Sequence, residues 1–265
     1  WCLQELDKEL YYMLMAKNKE LRGTLSEVSL FSVYLNLARP LQLKNFTGET
    51  LHGFLFNLPG FREYHGTETK PFSIRLVKQE GKTVTWEACS LCLEVADKLS
   101  SARLPRGAHL GEVKVSDMLI SPLSSTNYDH LLRPRTRTQF TFRFKSPTSF
   151  RSQGQQLLFP TPELLFGSLM QKWNAFAKRK ITREIAKDFR KILVTRYDLE
   201  TQEVSFSDYK IIGFTGEVRY RIPPRTDPVV KRVVNALAQL ALFAGVGYKT
   251  PMGLGWVEVK SDRDG

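Results

Sequence analysis

Apolar positions along the chain recur with two periods, and the order of these periods predicts where helices and strands lie. Residues 3 to 20 carry leucines at a helical spacing, which predicts a helical extension over residues 1 to 25. Residues 27 to 37 are rich in β-favouring residues and predict a strand that ends before Pro40. A helix is expected from Thr47, its N-cap, because the next apolar residues are spaced i, i+3, i+4 and i+7.

The rest of the first half predicts a hairpin, a second helix and a closing strand. The hairpin joins residues 72 to 77 to residues 84 to 86 through a polar turn that contains glycine. The second helix is expected over residues 88 to 99, and the last strand over residues 111 to 120. The order β-α-β-β-α-β is typical of a ferredoxin-like domain, here assigned to residues 26 to 130.

The same order of elements repeats after residues 121 to 137, a stretch with prolines and no periodicity that is interpreted as a linker. Thr161 and Asp227 each precede a proline and an apolar helical stripe, so each predicts the start of a helix. Strands are expected at residues 138 to 145, 204 to 206, 210 to 222 and 256 to 259. The sequence therefore predicts an α+β fold of tandem ferredoxin-like (RRM-like) domains, the second over residues 131 to 265.

Charge is concentrated in one part of the chain. The 265 residues include 39 Lys and Arg against 27 Asp and Glu, a formal net charge of +12. Residues 133 to 196 hold 15 of the basic residues and three of the acidic ones, so the remainder is balanced. Such a region favours a polyanionic partner, although clustered lysines on a helix also serve solubility alone. Four phenylalanines lie among basic residues and indicate either base stacking or a buried strand face. They are Phe140, Phe142, Phe144 and Phe150, and the basic residues are Arg143, Lys145 and Arg151.

Composition indicates a folded protein that does not enter a membrane. Hydrophobic residues make up 42% of the chain, as in globular proteins, and no apolar run reaches the roughly 20 residues of a membrane span. Three cysteines do not describe a secreted disulfide framework, and the acidic start is unlike a signal peptide, so a cytoplasmic location is expected. Cys89 and Cys92 form a lone C-x-x-C, interpreted as structural and helical. No metal or cofactor is expected.

A glycine-rich segment, residues 245 to 255, follows the last predicted helix with the sequence GVGYKTPMGLG. Its four glycines allow positive φ angles and could present amide N–H groups, while Lys249 adds a charge, so a phosphate is a suitable ligand. The spacing matches neither the P-loop nor the dinucleotide-binding fingerprint. The alternative is a turn that glycine makes compact for packing alone.

This segment resembles the glycine-rich loop of the Cas6 family, the CRISPR-associated endoribonucleases of the RAMP superfamily. Further stretches similar to that family are FKSPTSF at 144 to 150, PTPELLF at 160 to 166, WNAF at 173 to 176, GFTGEV at 213 to 218, TGETLHG at 47 to 53 and KPFS at 70 to 73. The resemblance implies metal-independent cleavage of CRISPR repeat RNA to mature crRNAs. In that reaction the ribose 2′-hydroxyl attacks the scissile phosphate and leaves a 2′,3′-cyclic phosphate and a 5′-hydroxyl.

Such chemistry needs a base, an acid and a cation near the phosphate. The resemblance makes His65 the first candidate, because it lies close to where family members carry their histidine, with Lys70 nearby to stabilise the phosphorane. His52, on the helix predicted to start at Thr47, is the alternative candidate for the catalytic histidine. Phe56 occupies a position that is tyrosine in some family members. The candidate RNA-binding residues are Gly245, Gly247, Lys249, Gly253, Gly255, Arg133, Arg135, Arg137, Arg143, Lys145 and Arg151.

The partners implied by the resemblance are CRISPR repeat RNA and other CRISPR-associated proteins of an interference complex, and a homodimer stays open. A non-catalytic RNA-binding subunit of such a complex is the main alternative, since it would share the glycine loop and need no histidine. A ferredoxin-like module that binds a nucleotide or a protein is another. A metal-dependent nuclease is disfavoured because the sequence lacks a carboxylate cluster with two-metal spacing.

Overall fold

The computed structural model describes residues 25–41, 48–135 and 137–260. The predicted helical extension and the Thr47 cap lie outside these residues. The first half contains β1 (Val28–Leu37), α1 (Gly48–Asn57), β2 (Phe72–Glu80), β3 (Thr83–Ser90), α2 (Leu93–Ser101), β4 (His109–Leu110), β5 (Val113–Thr126) and α3 (Tyr128–Leu131). Its strands form an antiparallel sheet in the order β2-β3-β1-β5-β4.

The second half repeats this plan. It contains β6 (Gln139–Thr148), β7 (Phe150–Ser152), β8 (Gln155–Leu157), α4 (Pro162–Phe176), α5 (Arg183–Lys187), β9 (Leu193–Ser205), β10 (Lys210–Arg221), α6 (Pro228–Ala244) and β11 (Val257–Lys260). The main sheet has the order β11-β6-β10-β9. In the first half β1 lies between β3 and β5, and in the second half β6 lies between β10 and β11. The corresponding strands β2 and β9 each lie at a sheet edge. This repeated order confirms the predicted tandem ferredoxin-like class.

Two helix starts follow the predicted caps. The Thr161 hydroxyl accepts a hydrogen bond from the Leu164 amide at the start of α4. The Asp227 carboxylate accepts one from the Val229 amide at the start of α6. Both caps satisfy amides that the first helical turn leaves without an intrahelical partner.

Three predicted boundaries are wrong. The helix expected over residues 88 to 99 begins only at Leu93, because β3 continues to Ser90 and Cys89 pairs with strands on both sides. The linker expected from residue 121 is strand up to Thr126, with Pro122 at an irregularity of the β1–β5 register, where proline is tolerated. Strand β9 begins at Leu193, not at 204, and its mostly exposed residues leave no apolar alternation to read.

The buried side chains form one large cluster in each half. Phe140, Phe142 and Phe144 are at most 3% exposed and belong to the core between the second sheet and its helices, so the interpretation of these rings as base-stacking platforms is wrong. Arg143 and Lys145 alternate with these rings and point to the opposite face of the sheet, as strand alternation requires.

The two halves meet along α6 and the segment that follows it. Helix α6 packs against the first sheet, and the Ser73 hydroxyl donates to the Phe243 carbonyl at 2.5 Å. A 3-10 turn, Thr250–Met252, packs against α1 and β2. The amide and hydroxyl of Ser207, between β9 and β10, donate to the Glu49 carboxylate at 2.9 and 2.8 Å. The glycine-rich segment is therefore held beside α1. None of the helices in the described ranges combines the length and apolar character that a membrane crossing requires.

Candidate active site

A cleft of about 670 Å³ lies where the two halves meet. Its walls come from α1, from the segment before β2, from the β7–β8 hairpin, from the first three turns of α4 and from residues 247 to 252 of the glycine-rich segment. His52, Lys70, Arg151, Lys172 and Lys249 all line it. The cleft is thus rich in cations, and it contains one of the two candidate histidines.

His52 is held in one orientation by a backbone carbonyl of the other half. Its Nδ1 lies 3.0 Å from the Pro251 carbonyl oxygen. Because a carbonyl only accepts, Nδ1 is assigned the proton, which leaves the lone pair on Nε2. Burial of the ring lowers the pKa of His52 to about 4; the bond to Pro251 opposes this, and the charges of Lys70, Lys249 and His65 add to it. The imidazole is therefore neutral near pH 7 and is able to accept a proton.

Two lysines flank this imidazole. The Lys70 ammonium donates to the carbonyls of His65 and Thr67 at 2.6 and 2.7 Å, and burial lowers its pKa. These bonds use two of its three donors and keep the charge at the cleft wall. Lys249 has a left-handed backbone, with a φ of 57°. The positive charge of Lys249, like that of Lys70, contributes to lowering the pKa of His52.

The side chain of Lys249 rests among aromatic rings. Its ammonium lies 5.0, 4.8 and 5.3 Å from the ring centroids of Phe206, Tyr209 and Tyr248, and 3.5 Å from the Met252 sulfur. Cation–π contacts of this kind hold a charge without neutralising it. The loop between β9 and β10 supplies two of these rings, Phe206 and Tyr209, so it helps to hold Lys249 in the cleft wall.

His65 lies outside the lining of the cleft. It follows the 3-10 turn Arg62–Tyr64 and is exposed. Phe56 contacts both candidate histidines, with ring centroids 4.5 Å from His52 and 5.4 Å from His65. The structure therefore brings His52 and Lys70 together in the cleft and leaves His65 at its rim, across Phe56.

Close packing explains the glycines at positions 247 and 255 of the segment. A side chain on Gly247 would overlap the Ser149 carbonyl, one on Gly255 would overlap the Val246 carbonyl, and both residues have positive φ. All four glycine amides donate within the protein. Gly247 donates to the Ser168 hydroxyl, and Gly245, Gly253 and Gly255 donate to the carbonyls of Ala241, Thr250 and Pro147. In this conformation the expected amide cradle for a phosphate is already occupied by internal bonds.

The predicted basic residues fall into three places. Arg151 lines the cleft, 3.3 Å from the Tyr248 hydroxyl. Arg143 and Lys145 lie on the outer face of the second sheet, in ion pairs with Glu217 and Glu258 at 2.5 and 3.8 Å. Arg133, Arg135 and Arg137 lie between α3 and β6, away from the cleft lining. Of these six residues the cleft contains Arg151, and it also contains Lys249 of the glycine-rich segment.

Sequence reasoning missed Lys172, a buried lysine of α4. Its ammonium donates to the carbonyls of Ala244 and Gly245, both at 2.9 Å, and to the Thr250 hydroxyl at 3.0 Å. Burial lowers its pKa to about 7. The sequence does carry a signal for it, because Lys172 lies three residues after Leu169 in the apolar stripe of α4, where a charged residue must find a buried partner.

Metal-binding chemistry has little to build on in the described part of the chain. Within residues 25–41, 48–135 and 137–260, no three His, Cys, Asp or Glu side chains are placed to hold a metal ion. Cys89 is buried in β3 and Cys92 caps α2, and both are free thiols. The prediction that the C-x-x-C lies within a helix is therefore wrong, because Cys89 lies in a strand and Cys92 immediately precedes α2.

Comparison with known proteins shows which family the chain resembles. Residues 142–257 match the family model of the CRISPR-associated endoribonuclease Cas6. A Cas6 endoribonuclease from Streptococcus thermophilus is 26% identical over 230 residues, which cover 80% of this chain and 91% of that protein. One from Mycobacterium tuberculosis is 23% identical over 255 residues, covering 90% of this chain and 80% of that protein.

Solved structures agree with the fold. A Cas6 product complex has a TM-score of 0.71 at 23% identity, covering 89% of this chain and all of that one. A Cas6 from Thermus thermophilus has a TM-score of 0.67 at 22% identity, covering 90% of this chain and all of that one. Together with the sequence matches, which extend over both halves, these findings confirm the predicted resemblance to the Cas6 family of CRISPR-associated endoribonucleases.

Proposed function

We propose that this protein is an endoribonuclease that binds CRISPR repeat RNA and cleaves it to mature crRNAs. The support is the similarity to Cas6 endoribonucleases over both halves and the arrangement that carries the chemistry, a neutral imidazole fixed beside two lysines in an open cleft. Assembly with other CRISPR-associated proteins and a homodimer stay predictions.

The proposed reaction begins with proton transfer to His52. Its Nε2 removes the proton from the ribose 2′-hydroxyl on the 5′ side of the scissile phosphate, and the 2′-oxygen forms a bond to phosphorus. The bond from phosphorus to the 5′-oxygen then breaks. The products carry a 2′,3′-cyclic phosphate and a 5′-hydroxyl, and no metal takes part in either step.

Cations at the cleft wall stabilise the charge that develops on the phosphorane. Lys70 and Lys249 are the candidates, because their charges already act on His52 in the free protein. A phosphate bound between them would offset that effect and make His52 a stronger base. His65, across Phe56, is the candidate acid for the departing 5′-oxygen.

The test uses repeat RNA from the source CRISPR array, labelled at its 5′ end, under single-turnover conditions with EDTA. We expect cleavage at one position, with cyclic phosphate and 5′-hydroxyl ends. RNA with a 2′-deoxyribose immediately before the scissile phosphate should bind with unchanged affinity and stay intact, whereas a 2′-deoxyribose one nucleotide further upstream should have no effect. Cutting of the first deoxy substrate would exclude the cyclic-phosphate mechanism, and tight binding of all-ribose RNA without cutting would favour a non-catalytic subunit.

A further inference from the structure

Lys172 is a buried cation whose hydrogen-bonding capacity is fully used inside the protein. Its side chain is 9% exposed. An ammonium has three donors and no acceptor, and Lys172 has three acceptors within 3.0 Å, the carbonyls of Ala244 and Gly245 and the Thr250 hydroxyl. The two carbonyls lie at the C-terminal end of α6, where the helix dipole favours a positive charge. The site is therefore built for an ammonium.

These three bonds connect α4 and α6 to the turn that holds His52. Thr250 begins the 3-10 turn Thr250–Met252. The next residue is Pro251, whose carbonyl oxygen accepts the His52 Nδ1 proton at 3.0 Å. Left-handed residues lie on either side of this turn, Lys249 with a φ of 57° and Gly253 with a φ of 79°. A short turn between two such residues depends on its outside contacts for its position.

We infer that Lys172 is a positioning residue for RNA cleavage, which holds the Thr250–Met252 turn so that the Pro251 carbonyl fixes the tautomer and direction of His52. This inference rests on the proposed function. Lys172 lines the cleft, yet its three donors face the protein. It therefore acts through Thr250 and Pro251, and it does not bind the RNA phosphate.

The test compares single-turnover cleavage and RNA affinity in matched variants. Lys172→Met keeps the length of the side chain and removes the donors, so the rate at saturating RNA should fall about 10²-fold, the scale expected for a misplaced catalytic group. Thr250→Val removes one acceptor and should lower the rate about tenfold. The dissociation constant should change less than about threefold in both. Lys178→Met, an exposed lysine just after α4, is the control and should leave the saturated rate unchanged.

A double-variant cycle separates positioning from direct RNA contact. If Lys172 acts through His52, then Lys172→Met should cause no further loss of rate in a His52→Ala background, because coupled residues are not additive. Equal losses in both backgrounds, or a weakened affinity that accounts for the lost rate, would overturn the inference. An unchanged rate in Lys172→Met would overturn it as well.

Nuclear magnetic resonance of the histidine side chains gives a readout that needs no RNA. The nitrogen shifts of His52 should report the Nδ1–H tautomer in the parent and a mixture of tautomers in Lys172→Met. If Lys172→Met does not fold, the cleavage rate and the His52 tautomer are measured in Thr250→Val instead. An unchanged tautomer and an unchanged rate in that variant would refute the inference. If the parent folds but does not cut repeat RNA, the proposed function fails, whereas the tautomer measurement still decides whether Lys172 positions His52.

Discussion

Protonation of His52 should destabilise the folded protein, and this effect can be measured without RNA. Burial lowers the pKa of His52 to about 4 in the folded state, whereas an unfolded histidine has a pKa near 6.5. Between these values the unfolded chain binds the proton more readily. The stability that His52 contributes is therefore present above pH 6.5 and is lost as the pH falls through about 4.

The size of this loss follows from the two pKa values. At about 1.4 kcal/mol per pH unit, the difference between 6.5 and about 4 corresponds to about 3 kcal/mol. His52 is only half-buried at the cleft wall, and solvent screening reduces the effect, so we expect about 2 kcal/mol. That value is a substantial part of the stability of a typical domain.

The assay is urea unfolding of the parent and two variants at several pH values between 7 and 4. His52→Ala should lose about 2 kcal/mol less than the parent over this range, because it has no imidazole to protonate in the cleft. His130→Ala, which removes an exposed histidine at the end of α3, should follow the parent. Carboxylates also titrate below pH 5, but they are the same in all three proteins. Parallel profiles for the parent and His52→Ala would refute the reasoning.

Three further predictions concern RNA. His52→Ala should lower the single-turnover rate by 10² or more, as expected for a lost general base. His65→Ala should lower it by a smaller factor, because His65 is proposed as the acid at the rim of the cleft. A larger loss in His65→Ala than in His52→Ala would contradict this assignment of base and acid. Gly247→Val should lower the melting temperature and abolish RNA binding, because the new side chain meets a backbone carbonyl; an unchanged melting temperature would contradict this. Arg151→Ala should reduce the slope of log K against log salt by about 0.7 to 0.9, and Arg143→Ala, whose charge is paired, by less; equal changes would place RNA on the sheet face.

The fold could be predicted because its signals are local. Caps such as Thr161 and Asp227, and apolar stripes with a helical period, fix the starts and faces of α4 and α6 from a few neighbouring residues. The errors arose where pairing with distant strands decides the structure. Residues 88 to 90 have no strong local preference for a strand, yet β3 lies between β1 and β2, whose backbones satisfy its hydrogen bonds on both sides. Residues 193 to 203 form an exposed edge strand without apolar alternation.

The site was only partly predictable, for a related reason. His52, Lys70 and Lys249 were recognised as candidates from their residue types and from the family resemblance. The preference for His52 over His65 in the proposed mechanism rests on a hydrogen bond that joins His52 to Pro251, which is 199 residues away along the chain. No local sequence pattern reveals this bond. The phosphate-binding role of the glycine-rich segment stays a prediction, because such a sequence has the same composition whether its amides face a ligand or, as for the four glycines here, bond internally.

The candidate base and the group that orients it come from different halves of the molecule. His52 lies on α1 of the first half, whereas Pro251 follows α6 of the second. A shift between the halves would break that bond and allow the imidazole to exchange tautomers and to rotate. The Nε2 lone pair would then no longer point in one defined direction. The hydrogen bond from Ser73 to the Phe243 carbonyl opposes such a shift. In the proposed mechanism the contact between Ser73 and Phe243 therefore contributes to catalysis, although it lies outside the cleft.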